Sequence, residues 1–338
     1  MDTKYNDQLM IIASESSVTI PPPASIHTYL QAATSQNTRR AYQSDITHFM
    51  AWGALLPSTP DVLLRYLQEQ ATALNPRTLK RRLVAIKHWH TLQGFTDPTS
   101  HPLVKKALSG IIHIHGRPSE KAAPLSVEQL MLLVHHLKSR GALSDWRSNA
   151  LLQVGFFGAF RRSELVAMRW ENVTFVPKGA QVLIPRSKTD QEGEGQVCAI
   201  PYGNAILCPV TALHQWREQS RATIGPVFRS LLKGNKVTEF ALSSNTVNKI
   251  IKNLAIACQL PQAEQYSGHS LRRGFATSAS QNGASFGAIM RQGRWRHGGT
   301  VHGYIEEGQC FDANAAGSIL DKINPPLTSD GSELNNTE

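Results

Sequence analysis

The sequence predicts a mainly α-helical protein carrying one small antiparallel β-sheet. Three observations predict it. Apolar residues recur at helical spacing, as in Leu79, Leu83, Ile86 and Trp89. Helix-start signals stand before such stretches: Asn37, Asn75 followed by Pro76, and Ser126. Strand-like segments are few, and the clearest pair, Gln181–Pro185 and Gln196–Pro201, is separated by the turn residues Gly193 and Gly195.

With 338 residues the chain can hold two ordinary domains, or one large one, each with its own core. Residues 1–24 are polar, end in Pro21-Pro22-Pro23 and read as a flexible arm. Residues 25–117 read as all-helical: Asn37 caps a helix with Tyr42, Ile46 and Phe49 on one face, and Asn75-Pro76 starts another. His115–Pro124 reads as a linker into a second domain, residues 118–324. There Ser126 caps a helix running through Glu128 to Leu137, the strand pair follows, and helices return from Pro209 onward. Residues 325–338 contain Asp330, Glu333 and Glu338 and no basic residue, and read as a disordered acidic tail.

The formal net charge is +10. Residues 25–117 hold eleven Lys/Arg against four Asp/Glu, which is +7 of that total. Arg39, Arg40, Arg77, Lys80, Arg81, Arg82 and Lys87 lie between the apolar stripes, on what the spacing makes polar faces. Solvated faces usually mix signs, so this one-sided charge points to phosphate contacts on a polyanion, usually nucleic acid. The absence of a long apolar run or signal-like start predicts a cytoplasmic chain without a membrane span. The four cysteines show no paired spacing. The histidine pairs His88/His90, His113/His115 and His135/His136 lack Cys or carboxylate partners at matching spacing, so no metal site is expected. Trp52, Trp89 and Trp146 sit on helical stripes and read as core.

Four features of the second domain mean little singly. They are Arg161 with Glu164 in an apolar helical context, Lys188 near the hairpin tip, His269 with Arg272 one helical turn on, and Trp295 nine residues before Tyr304. Together they supply what phosphodiester transfer needs. Two arginines can clamp non-bridging oxygens and stabilise a pentacoordinate phosphorus. A tyrosine hydroxyl can attack phosphorus and hold the strand covalently. A lysine can protonate the departing sugar oxygen, and a histidine can take or give a proton. No carboxylate cluster of metal-ligand spacing appears, and no phosphate-cradling glycine motif, so neither metal nor ATP is expected.

On these residues the chain resembles the tyrosine recombinase (phage integrase) family over about residues 25–323. Gly158-x-x-Arg161-x-Ser163-Glu164-Leu165 matches the first arginine box, with Arg161 catalytic and Glu164 its acidic helper. The hairpin lysine falls on Lys188, with Arg186 and Lys178 close by, and the H-x-x-R box on His269 and Arg272. The position before the nucleophile falls on Trp295, with His297 two residues later, and the nucleophile on Tyr304. The resemblance implies a core-binding helical domain and a mixed α/β catalytic domain closing as a C-shaped clamp on DNA. It also implies four protomers on two DNA sites, a 3′-phosphotyrosine and a Holliday junction, as in recombinases of mobile elements or plasmids. A type IB topoisomerase uses similar residues. A DNA-binding regulator could keep the fold without catalysis, but the complete residue set argues against it.

Overall fold

The computed structural model describes residues 33–118, 120–185, 194–234 and 236–308, together with residues 315, 316, 319 and 320. The expected arm (1–24), the acidic tail (325–338), Arg186 and Lys188 lie outside the described residues. Contacts divide the chain between Ser119 and Glu120 into two compact units.

The first unit consists of α1 (Gln36–Ala51), α2 (Pro60–Gln70), α3 (Pro76–Leu92) and α4 (Pro102–His115). Prolines open α2, α3 and α4, where a missing N–H costs nothing and the fixed φ suits the helix. Asn75 caps α3 as expected, accepting from the Arg77 N–H at 2.9 Å. The cap of α1 is Ser35 rather than Asn37: its hydroxyl accepts from the Thr38 N–H at 3.2 Å, and Asn37 lies inside the helix. Phe49, Leu63, Tyr66, Leu67, Leu79 and Ile86 are fully buried where the helices meet.

The stripe of α3 ends on His90 instead of Trp89. His90 is buried, its Nε2 accepting from the Ser58 N–H at 2.9 Å and its Nδ1 facing the Ile86 carbonyl at 2.8 Å. Trp89 is half-buried and stacks on Phe95, with ring centroids 5.8 Å apart. Trp52 and Trp146 are half-buried against the cores of their units.

In the second unit α5 (Val127–Arg140) starts on the expected cap: Ser126 and Gln129 form a reciprocal capping box. Next, α6 (Leu143–Phe157) is buried around nearly its whole circumference. It packs against α5, α8 (Pro209–Ser220) and α10 (Gly268–Gln281). A short helix, α7 (Arg162–Ala167), follows. The sheet has the order β1 (Val173–Val176), β2 (Gly179–Ile184), β3 (Gln196–Pro201), all antiparallel. β2 and β3 match the expected strand pair within a residue or two, with Gln181 opposite Ala199 and Ile184 opposite Gln196. Ala180, Val182 and Ile184 face the core, the period-2 alternation of a half-buried strand.

Helices return from Pro209 onward as expected, with one interruption. A second hairpin, β4 (Arg229–Leu232) and β5 (Lys236–Ala241), precedes α9 (Ser244–Ala257). α11 (Phe286–Gly293) and α12 (Gly298–Gly308) follow α10. A satellite cluster of Ala276, Ile289 and Val301, joined by Phe286, Met290, Trp295 and Tyr304, holds these last two helices onto α10. The predicted class, mainly α with a small antiparallel sheet, is what the chain adopts. No described helix is long and apolar enough to cross a membrane.

Candidate active site

The first arginine box does not lie within one helix, as its apolar context suggested. α6 ends at Phe157 with Gly158 as its cap, and Ala159 takes a left-handed φ of 46°. Arg161 is the N-cap of α7. A C-terminal and an N-terminal helix end therefore meet at this turn, and Arg161 sits at the positive end of α7.

Glu164 closes the turn. Its carboxylate accepts from the Arg161 backbone N–H at 2.9 Å and from Arg161 Nη1 at 2.6 Å. A third donor comes from far along the chain: Arg294 Nη2, at 3.1 Å. Burial pushes the Glu164 carboxyl up, but Arg294 and the two Arg161 donors outweigh it and hold it below the usual carboxylate range.

α10 delivers the second arginine. Ser267 caps the helix, and His269 and Arg272 follow one turn apart on one side of it. Arg272 is 3% exposed, and its Nη1 donates to the carbonyl of Ala159, so both arginines converge on the same turn. Its guanidinium carbon lies 4.0 Å from the centre of the Trp295 ring, a cation–π contact. Its Nη2 is buried without a hydrogen-bond partner among the described residues. Burial, with Arg161 alongside, pulls the Arg272 pKa down to about 9, which still leaves it charged at neutral pH.

Trp295 passes the site on to Tyr304. Their ring centroids are 6.4 Å apart at an interplanar angle of 67°. Tyr304 lies on α12, half-buried, and its carbonyl accepts from Thr277 Oγ1 at 3.0 Å. The guanidinium of Arg273 lies 5.3 Å from the Tyr304 ring centre. Gly293 makes the Trp295 position possible: a Cβ there would come within 1.6 Å of the indole. His269 stands at the exposed rim. Partial burial, then Arg272, Arg273, Arg162 and Arg161, lower its pKa, so the ring is neutral at pH 7 and able to accept a proton.

The fold thus brings Arg161, Glu164, His269, Arg272, Trp295 and Tyr304 around the α6–α7 turn. His297 is exposed beyond Trp295, and Lys178 is exposed on the β1–β2 turn. Arg294 was not singled out by the sequence. Its only local signal is its place directly before Trp295.

Residues 124–309 match the family model described as phage integrase family. The chain belongs to the phage integrase family. It is therefore a tyrosine recombinase by descent, and the matched residues all lie in its second unit. This integrase-family chain is 36% identical over 302 residues to an integrase/recombinase xerD homolog of Selenomonas ruminantium, covering 87% of this chain and 88% of that one. It is 22% identical over 272 residues to tyrosine recombinase XerC of Xanthomonas campestris pv. campestris, covering 78% and 76%. Among solved structures it is similar to XerH bound to a palindromic difH substrate in a post-cleavage complex. The TM-score there is 0.58 at 16% identity, over 84% of this chain and 78% of that one. A lambda integrase dimer bound to a COC′ core site gives 0.56 at 14% identity, over 83% and 77%. At such identities these structures show a shared fold.

The basic residues expected to meet phosphate divide into two groups. Arg39, Arg40, Arg77, Lys80 and Lys87 are exposed on α1 and α3. Arg82 is not on a polar face. It is buried and donates from Nη1 to the Tyr66 hydroxyl at 2.9 Å, with its Nε 3.5 Å from Asp45. Arg81 grips the same carboxylate with two hydrogen bonds of 2.8 Å, while half its side chain stays in solvent.

Proposed function

We propose that this chain cuts and rejoins double-stranded DNA at specific sites through a covalent bond between Tyr304 and a 3′-phosphate. The observation that carries the reading is the buried Nη2 of Arg272, close to Arg161 and without a hydrogen-bond partner among the described residues. An orphaned charged donor at a converging pair of guanidiniums is costly unless an anion arrives to accept from it. A scissile phosphate has the charge and the oxygen geometry to do so.

In the proposed step the Tyr304 oxygen attacks phosphorus and the bond from phosphorus to the 5′ oxygen breaks. The phenolic proton passes to neutral His269 or through it to water, and Lys188 protonates the departing 5′ oxygen. Arg161 and Arg272 stabilise the charge that grows on the non-bridging oxygens. Trp295 backs Arg272 by stacking, and Glu164 orients Arg161. The phosphotyrosine keeps the bond energy, so a second 5′ hydroxyl can reverse the step on another strand. Four protomers on two sites, exchanging strands in two rounds through a Holliday junction, fit this chemistry, and a mobile element or plasmid is the proposed setting. The exposed basic residues of α1 and α3 are proposed to track phosphates of the same duplex.

The test is a suicide DNA substrate whose cut end cannot be re-ligated. The wild-type protein should give a denaturant-resistant adduct and Tyr304→Phe none, although the variant still binds the DNA. An adduct from Tyr304→Phe would remove Tyr304 from the role. Exchange between two sites, scored by recombinant product, separates recombination from simple relaxation of supercoils.

A further inference from the structure

From the contacts around Glu164 we infer that Arg294 is a positioning residue for strand transfer, supplying the countercharge of Glu164 so that Arg161 keeps a guanidinium edge for the scissile phosphate. This rests on the functional reading above. Arg294 is the C-cap of α11 with a left-handed φ of 56°, a conformation that turns its side chain back toward the α6–α7 turn. The side chain is buried, with its guanidinium carbon 4.7 Å from the centre of the Phe160 ring. Both terminal nitrogens donate to the Gly158 carbonyl at 3.1 Å, and Nη1 also donates to the Gln292 carbonyl at 2.7 Å. Nη2 reaches Glu164 Oε2 at 3.1 Å. One residue therefore ties the helix break that carries Arg161 to the segment that carries Trp295.

The charge arithmetic gives the tie its purpose. Glu164 and Arg161 alone make a neutral pair, in which the carboxylate competes with a phosphate for the guanidinium. With Arg294 the trio has two cations and one anion, and Glu164 Oε2 is held from the other side. The groups facing Glu164 are Arg161 from the α7 cap, Arg294 from the end of α11, Arg272 from α10 and Cys198 from β3. Burial pushes the Cys198 thiol up, so it stays neutral and cannot replace a cation. Among the influences holding Glu164 ionised against burial, Arg294 is the largest.

The experiment uses the full chain and measures adduct formation on the suicide substrate across pH. It compares Arg294→Lys and Arg294→Met, each alone and combined with Glu164→Gln. Arg294→Met should slow adduct formation about a hundredfold, the scale of a misplaced catalytic group. It should also move the acid limb of the pH–rate profile to higher pH by about 1–3 units, because a buried carboxyl without that cation protonates more readily. Arg294→Lys, which keeps the charge and loses the fork, should cost less and leave the acid limb in place. With Glu164→Gln already present, either change should cost about threefold or less, because coupled residues are non-additive. The inference is overturned by an unshifted acid limb with equal losses in both Glu164 backgrounds. It is overturned equally by losses that only track the unfolded fraction in thermal melts. Failure of the wild-type chain to form any adduct would instead overturn the functional reading itself.

Discussion

In the helical unit one buried carboxylate, Asp45, faces Arg81 and Arg82, and what remains of those guanidiniums goes to solvent, His48 or Tyr66. Around the α6–α7 turn one buried carboxylate, Glu164, faces Arg161 and Arg294, and a third guanidinium, Arg272, keeps a buried nitrogen with no hydrogen-bond partner among the described residues. Both places bury arginine and both hold a buried guanidinium nitrogen without a hydrogen bond among the described residues, in the first Arg82 Nε at 3.5 Å from Asp45, but only the second sets three guanidiniums against one carboxylate. The contrast separates two uses of one residue type. Arginine matched within the fold builds structure, whereas one in excess of the local carboxylate, beside a tyrosine, a tryptophan and a neutral histidine, supports the proposed entry of a phosphate.

Four substitutions can break or sharpen this contrast. Asp45→Asn should destabilise the protein most, by about 3–5 kcal/mol, because it leaves Arg82 buried without its counterion. Denaturant unfolding of the full chain measures this, and a loss under about 1 kcal/mol would mean that the α1–α3 network is not structural. Arg272→Met should do the reverse. Its cleavage rate should fall by about 10²–10³, roughly 2.7–4 kcal/mol of transition-state stabilisation, while the melting temperature holds or rises. Equal damage to rate and stability would erase the distinction between the two clusters. The smallest effect concerns DNA affinity. If Arg40 meets one phosphate, Arg40→Ala should flatten the slope of log K against log salt by about 0.9. Arg82→Ala, at a buried position, should leave the slope of the folded protein unchanged.

Much of the candidate site was legible in the sequence because its boxes are local. Arg161 with Glu164 and His269 with Arg272 lie three residues apart, so one helical turn already puts each pair together. What stayed hidden depends on long-range closure. Arg294 meets Glu164 across 130 residues, and nothing in Gly293-Arg294-Trp295 announces a left-handed cap whose side chain folds back. The break at Ala159 was masked by its apolar neighbours, since burial of Phe156 and Phe160 on either side reads as one continuous helix. Arg82 was readable and misread: it lies three residues after Leu79 and one before Leu83, on the buried stripe of α3. The β4–β5 hairpin carries polar and apolar residues in no clean alternation, having a register shift between Arg229 and Leu231, so it lacked a strand signal.

The most direct test of the central claim is to find which atom of the protein carries the DNA. Adduct trapped on a suicide substrate, digested with nuclease and trypsin, is read by mass spectrometry. Cleavage after Arg296 and Lys322 releases residues 297–322, in which Tyr304 is the only tyrosine. The expected result is a nucleotide-phosphate mass on that peptide, with fragmentation assigning it to Tyr304. The same mass on a peptide containing Tyr202 or Tyr266, with 297–322 unmodified, would contradict the account.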